Sequence, residues 1–247
     1  MITAAQVRER VQSLPSLPTS VVALGQAVAD ERCTVDRILA ILQKDPSLSA
    51  TILKLANTVG YGGARQVTDL RSAIQRLGFD AILHLGRSAT IIRSLKDTPQ
   101  LDPQKLWQHS VAVGMVCQGI CRMLGKRSME ETAFLAGLIH DIGKIALDRC
   151  FPEAFGPVLQ AIRDGQYFLD AEREHLGLTH ADVGAMVAVY WNFADLLVEV
   201  IQTHHEPPAG AFLPNLVNLC DLLVRSRIPH YMQDETLCFS LQELGPF

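Results

Sequence analysis

The chain has 247 residues, of which 48% are hydrophobic and 19% charged, and its net charge is −4. This is enough for one large or two smaller domains with buried cores, and the chain lacks the basic excess of proteins that bind a nucleic-acid polymer. Apolar runs such as residues 134–139 are too short to span a membrane, and residues 1–10 carry charges where a signal peptide needs an apolar stretch. We therefore expect a cytoplasmic protein outside the membrane.

Helical periodicity predominates from the N-terminal half onward. Residues 34–43 carry apolar side chains at helical spacing. Asp45-Pro46 is typical of an N-cap followed by a first-turn proline, which predicts a helix to about residue 57. The glycine-rich residues 60–63 predict its end.

Asp69 is suited to cap a helix that Gly78 ends, and residues 80–95 carry a further helical pattern. Two prolines and two aspartates within residues 97–103 then interrupt the periodicity, so residues 98–103 are predicted to link two subdomains. Beyond them, helices are predicted over residues 104–124, 129–140, 143–150, 153–164, 168–176, 180–191, 194–205 and 215–226.

The predicted organisation is an N-terminal helical subdomain over residues 1–97, a linker over 98–103, a helical core over 104–226 and an unassigned tail over 227–247. The first half carries many apolar stripes and few charged faces. We therefore expect it to bury surface against the second half, so that either half alone is poorly soluble or molten.

The six cysteines include no Cys-x-x-Cys pair. Cys117 and Cys121 lie one helical turn apart in an apolar stretch. Two thiols alone make a poor zinc site. The favoured interpretation is buried thiols that pack as small hydrophobic groups in a reducing compartment.

The residues that indicate a chemical function are histidines and aspartates. His140 and Asp141 are adjacent in the string Gly-Leu-Ile-His-Asp-Ile-Gly-Lys, and Gly143 allows the helix end at which two neighbouring ligands fit best. The other members of the pattern are His109, His180, His204, His205 and Asp221. Imidazole and carboxylate together suit iron, manganese, zinc, cobalt or nickel, and helices can project such ligands inward from several directions.

Each of these residues has an ordinary alternative when it is taken singly. A lone histidine is more often a surface or packing residue than a ligand, and Asp141 and Asp221 are each suited to cap a helix. His84 and His175 lie outside the pattern and are assigned no metal role. The joint pattern favours a site in which two metals share a carboxylate and a bridging water becomes a nucleophile.

The residues His140-Asp141-Ile-Gly-Lys144 resemble the signature of HD-domain phosphohydrolases. The order of the histidines and aspartates resembles the HD-GYP branch, which hydrolyses cyclic di-GMP at a metal site. This resemblance implies that Asp141 bridges two metals and that Lys144 contacts substrate phosphate. The metal ligands that it implies are His109, His140, Asp141, His180, His204, His205 and Asp221.

Two positions depart from the HD-GYP pattern. In that branch a Gly-Tyr-Pro loop after the paired histidines helps to form the substrate site, whereas residues 207–211 here read Pro-Pro-Ala-Gly-Ala. Lys105 stands one turn before His109, where trinuclear members have a glutamate. We therefore expect one or two divalent transition-metal ions and no third.

The N-terminal half resembles the HDOD family. The motifs are Leu-Pro-Ser-Leu-Pro at 14–18, Lys-Asp-Pro-Ser-Leu at 44–48, Leu-Ala-Asn-Thr-Val-Gly-Tyr at 55–61 and Ala-Ile-Gln-Arg-Leu-Gly at 73–78. The resemblance extends over about residues 14–226. It implies an all-α protein in which an N-terminal helical bundle packs on an HD-like helical core.

Three functions follow from these resemblances. The first is a bacterial signal-transduction output module that acts through contacts with unidentified signalling proteins. The second is a metal-dependent phosphohydrolase or phosphodiesterase with a nucleotide or cyclic dinucleotide as substrate, and the third is a sensor that binds a nucleotide or metal without turnover. The missing loop favours the first, whereas the nearly complete ligand set supports the second because unpaired buried polar groups are costly.

Overall fold

The computed structural model describes residues 1–14, 18–57, 67–94 and 98–227, and within these ranges the chain is helical without a strand. The all-α prediction is therefore confirmed. The helices are α1 (Ala4–Val11), α2 (Thr19–Val28), α3 (Val35–Leu42), α4 (Pro46–Ala56), α5 (Leu70–Ser94), α6 (Pro103–Met123), α7 (Glu130–Ile139), α8 (Ile142–Cys150), α9 (Pro152–Arg163), α10 (Phe168–His175), α11 (His180–Tyr190), α12 (Asp195–Thr203) and α13 (Phe212–Arg227). None of the helices described here is both long and apolar enough to cross a membrane.

Local sequence signals explain several helix ends. The backbone N–H of Leu48 donates to Asp45 Oδ1 at 2.9 Å, and that of Ser72 donates to Asp69 Oδ1 at 2.8 Å, so both predicted caps are present. Helix α5 is interrupted at Gly78, whose φ of +82° is a conformation that glycine adopts readily. The predicted stop at residues 60–63 and residues 228–247 of the tail lie outside the described residues.

Helices α1 and α2 were not predicted from the sequence. Only Val7 and Val11 are buried in α1, so its apolar stripe is too short to stand out. A cap signal was nevertheless present, because the Thr3 and Gln6 side chains form a reciprocal capping box at its start.

The chain forms two compact units, each discontinuous in sequence. Among the described residues, the first unit contains 1–14, 98–110 and 140–227, and the second contains 18–57, 67–94 and 111–139. Each unit thus combines residues from both sides of the predicted linker, which itself remains a prediction.

Helix α11 lies at the centre of the first unit, where it packs against α8, α12 and α1. The contact with α8 is a backbone contact: a Cβ at Gly143 would lie 1.8 Å from the carbonyl oxygen of His180 and 2.7 Å from the backbone nitrogen of Gly184. Only glycine fits at this position. Because Gly143 lets α8 approach α11 closely, the starts of the two helices lie together, and so do Asp141 and His180.

In the second unit, α2, α3 and α4 pack on α5, and α5 also packs on α7. Two glycines allow α6 and α7 to approach closely, since a Cβ at Gly137 would lie 2.7 Å from the Cα of Gly114. Cys117 and Cys121 are fully buried on α6, in accord with their prediction as packing residues.

Candidate metal centre

All the predicted metal ligands lie in the first unit. His140 and Asp141 occupy the break between α7 and α8, where the sequence pattern required a helix end. His109 comes from α6, His180 begins α11, His204 and His205 directly follow α12, and Asp221 lies within α13. Six of these residues are no more than 2% exposed, and His205 is half-buried.

The ligand atoms form two groups that share Asp141. The first, here called the His205 group, consists of Asp141, His180, His204 and His205, whose donor atoms lie within 4.8 Å of one another. His109, His140 and Asp141 meet the same criterion. Asp221 Oδ1 lies 2.9 Å from His109 Nε2 and 3.6 Å from His140 Nε2, so these four residues together are called the Asp221 group.

The two oxygens of Asp141 face different groups. Oδ1 lies 3.3 Å from His180 Nε2 and 3.7 Å from His204 Nε2. Oδ2 lies 3.3 Å from His140 Nε2 and 3.8 Å from His109 Nε2. Asp141 stands at the N-cap position of α8 but makes no capping hydrogen bond with its side chain. Its carboxylate lies among the histidines, with Oδ2 also in contact with Lys144 Nζ, and its two oxygens face the two groups as those of a bridging ligand would.

Hydrogen bonds orient two of the imidazoles. Glu172 Oε2 accepts from His180 Nδ1 at 2.8 Å and from the His180 backbone N–H at 3.0 Å. His204 Nδ1 donates to the carbonyl oxygen of Ile201 at 2.8 Å. Each bond leaves Nε2 of the ring with its lone pair toward the His205 group, as in metal sites whose ligands are held by outer partners.

Glu172 was not singled out from the sequence. It is fully buried on α10, eight residues before His180. No motif or spacing marks it, because it acts through a contact that only the packing of α10 beside the start of α11 creates.

Two ligand atoms of the His205 group, His204 Nε2 and Asp141 Oδ1, have no hydrogen-bond partner among the described residues. A buried polar atom without a partner costs about 1–3 kcal/mol. His205 Nε2 and His180 Nε2 lie only 2.8 Å apart. Two nitrogens that converge in this way, beside an unpaired carboxylate oxygen, fit a bound transition-metal ion.

The protonation of three of these groups also suits metal binding, whereas neighbouring carboxylates outweigh burial and raise the pKa of His140 and of His180, so that a metal competes with protons at those two rings. Burial and the neighbouring histidines hold the pKa of His204 and of His205 well below the usual range, so both rings are neutral at pH 7. Burial opposes ionisation of Asp141, but His140 and Lys144 outweigh it and hold its pKa well below the ordinary value. Neutral imidazole and ionised carboxylate are the forms that bind metals.

Two buried cations contact the carboxylates of the centre. Lys144 Nζ lies 2.9 Å from Asp141 Oδ2 and 4.5 Å from the centre of the Phe168 ring, and the side chain is fully buried. Its contact with a substrate phosphate remains a prediction. Arg225 contacts Asp221 through Nη2 to Oδ2 at 2.8 Å and Nε to Oδ1 at 2.9 Å. The sequence analysis missed Arg225, although its position one helical turn after Asp221 was a usable signal.

Comparison with known proteins identifies the family. A crystal structure of an HDOD domain protein of unknown function from Geobacter sulfurreducens is 24% identical, with a TM-score of 0.76 over 94% of this chain and 79% of that one. A candidate phosphohydrolase from Shewanella amazonensis SB2B is 26% identical, with a TM-score of 0.77 over 93% of this chain and 84% of that one.

An uncharacterized protein of Treponema pallidum (strain Nichols) is 26% identical over 208 residues, which are 83% of this chain and 40% of that protein. The chain thus spans well under half the length of this relative. The sequence model of the HDOD domain matches residues 14–207, a stretch that includes all the candidate ligands except Asp221. Because that match covers most of the chain, this protein belongs to the HDOD domain family.

Proposed function

We propose that this chain is an output module of bacterial signal transduction that acts through protein contacts and binds one or two first-row transition-metal ions in its helical core. The observation that carries the metal-binding part is the convergence of buried histidines and aspartates into two groups that share Asp141. Membership of the HDOD family supports the signalling part.

The burial of the centre favours a regulatory or structural role over catalysis. Six of the seven candidate ligands are no more than 2% exposed, and Lys144 is fully buried against Asp141. A phosphate group would have to displace surrounding side chains to reach them. A bound ion would instead cross-link the starts of α8 and α11 to the end of α12, and would stabilise the fold by mass action.

Elemental analysis of untagged protein purified without chelators tests the metal-binding proposal. We expect iron, manganese or zinc at up to two equivalents in the natural sequence and a loss of most of it in Asp141→Ala. Asp148→Asn is the matched control, since Asp148 is equally buried in the same unit but accepts from the backbone N–H groups of Gln100 and Leu101. Protein that takes up none of these metals, and whose stability they do not change, would refute the proposal.

A second candidate function is a metal-dependent phosphodiesterase. The bridging position of Asp141 favours it, as does similarity to the Shewanella protein. The segment at residues 207–211 opposes it, because it carries no cationic or donor side chain with which to orient a substrate. Correct positioning contributes roughly 7–11 kcal/mol to catalysis of such reactions.

Linearisation of cyclic di-GMP by iron- or manganese-loaded protein separates the two functions. We expect absent or very slow turnover, with His140→Ala as the control. Turnover at ordinary enzyme rates that disappears in His140→Ala would establish the phosphodiesterase and overturn the signalling proposal.

A further inference from the structure

We infer that the candidate metal centre holds a single ion, bound in the His205 group, and that the guanidinium of Arg225 replaces a second ion in the Asp221 group. This inference rests on the proposed metal binding and specifies its stoichiometry and position. It follows from where the two buried cations lie relative to the two groups.

Arg225 engages both oxygens of Asp221, at 2.8 Å and 2.9 Å. The pair lies on one helix at i and i+4, and the Arg225 side chain is only 13% exposed. The Nε–Oδ1 contact is a charge-assisted hydrogen bond and the Nη2–Oδ2 contact is an ion pair, and a guanidinium does not lose its proton in proteins. A metal ligated by Asp221 would therefore lie beside a permanent, fixed positive charge that already compensates this carboxylate.

Lys144 strengthens the asymmetry between the groups. Its ammonium contacts Asp141 Oδ2, the oxygen that faces His109 and His140. Asp141 Oδ1, which faces His180 and His204, has no hydrogen-bond partner among the described residues. Both fixed cations thus contact carboxylate oxygens of the Asp221 group. Within the part of the chain that the structure describes, nitrogen atoms without a hydrogen-bond partner occur in both groups, at His109 Nε2 and at His204 Nε2, so the groups differ in the contacts of their carboxylate oxygens.

Charge balance leads to the same stoichiometry. The carboxylates of Asp141, Asp221 and Glu172 are buried around the histidines, against the two cations Lys144 and Arg225. One negative charge is left uncompensated when the imidazoles are neutral. A first divalent ion is attracted to it, whereas a second would add two further positive charges to a site that the first ion, Lys144 and Arg225 together already overcompensate.

Reconstitution of metal-free protein with Mn²⁺ tests the inference. We expect one equivalent in the natural sequence, with the electron paramagnetic resonance spectrum of an isolated ion. The Arg225→Met variant should bind two equivalents of Mn²⁺, and its spectrum should show the exchange coupling of neighbouring ions. The Arg173→Met variant should still bind one equivalent, because Arg173 is an exposed arginine of the same unit that pairs with Glu206.

Two further variants locate the ion. His204→Ala, in the His205 group, should lose it, whereas His109→Ala, in the Asp221 group, should retain one equivalent. If Arg225→Met leaves Asp221 without a counter-ion and fails to fold, the spectrum of the natural sequence and this pair of variants still decide the question.

The outcomes separate this inference from the proposed function. Natural protein that binds no Mn²⁺ and no other transition metal refutes metal binding and the inference with it. Two equivalents in the natural sequence, one equivalent in folded Arg225→Met, or loss of the ion in His109→Ala but not in His204→Ala would overturn the inference alone.

Discussion

At the scale of single residues, Glu172 fixes the orientation of His180. Its Oε2 accepts two hydrogen bonds from His180 in a fully buried position. Glu172→Gln replaces the anionic acceptor by a neutral amide, and outer partners of metal ligands typically contribute 10–100-fold to affinity. We expect a weakening on the order of 10–100-fold, measured by competition with a chelating dye.

The control for this change is Glu174→Gln on the same helix. Glu174 is exposed and accepts a hydrogen bond from Gln166. It should bind metal as the natural sequence does. Equal affinities of the two variants would show that Glu172 does not act through His180.

The protonation of His140 predicts a pH dependence in metal-free protein. Burial opposes its charged form, but Asp141 and Asp221 outweigh burial and raise its pKa from 6.5 to about 10. A raised pKa stabilises the fold below the unfolded value, and this contribution is lost as pH rises through the folded value. We therefore expect the melting temperature of chelator-treated protein to fall between pH 6.5 and about 10.

The melting temperature of the His140→Gln variant should fall less steeply over this pH range, because the variant lacks one titrating group. Scanning calorimetry at several pH values measures it. A slope that is the same in His140→Gln and in the natural sequence would assign the pH dependence to other groups.

At the scale of elements, the contact of α8 with α11 determines whether the centre forms. Gly143→Ala places a methyl group 1.8 Å from the carbonyl oxygen of His180, so the helices must separate. Overpacking of this kind costs about 1–3 kcal/mol or more. We expect lower stability in urea unfolding together with weaker metal binding, since Asp141 and His180 stand at the starts of these two helices.

Gly119→Ala is the matched control, because a Cβ there meets nothing within 4 Å and the residue lies within α6. Alanine in a helix interior is more favourable than glycine by roughly 0.5–1 kcal/mol. This variant should be at least as stable as the natural sequence. A Gly143→Ala protein that equals it in stability and metal content would show that the helices separate without consequence.

At the scale of the whole molecule, the composition of the second unit predicts how fragments behave. This unit joins α2, α3, α4 and α5 to residues 111–139, and α5 packs on α7 within it. A cut at residues 98–103 would expose the apolar surface between those helices. We expect each half alone to be poorly soluble or molten, with dye binding and weak near-ultraviolet dichroism.

Co-expression of residues 1–97 with residues 98–247 should recover soluble, folded material and serves as the control. Two halves that each unfold cooperatively alone and have no affinity for one another would contradict this prediction. Cooperative unfolding of residues 1–97 alone would show that α7 is dispensable for the second unit.

The all-α class, most helices and the residues proposed as ligands could be predicted from the sequence by itself. Asp45, Asp69 and Gly78 act on the backbone within a few residues, so their effects can be read locally. The break at His140-Asp141 was predictable for the same reason. Helix α1 was missed because only Val7 and Val11 are buried in it, whereas α2 was missed although its buried residues Val21, Leu24 and Ala27 follow a helical spacing.

Only the tertiary structure separated the ligands into two groups around Asp141 and revealed Glu172 and Arg225 beside them. The two groups and the contact of Glu172 join residues from helices that are distant along the chain. The role of Arg225 depends on which face of α13 is buried. Such contacts result from the packing of whole helices, which Gly143 permits at one point. Composition and periodicity describe the faces of single helices, and they do not determine which faces meet.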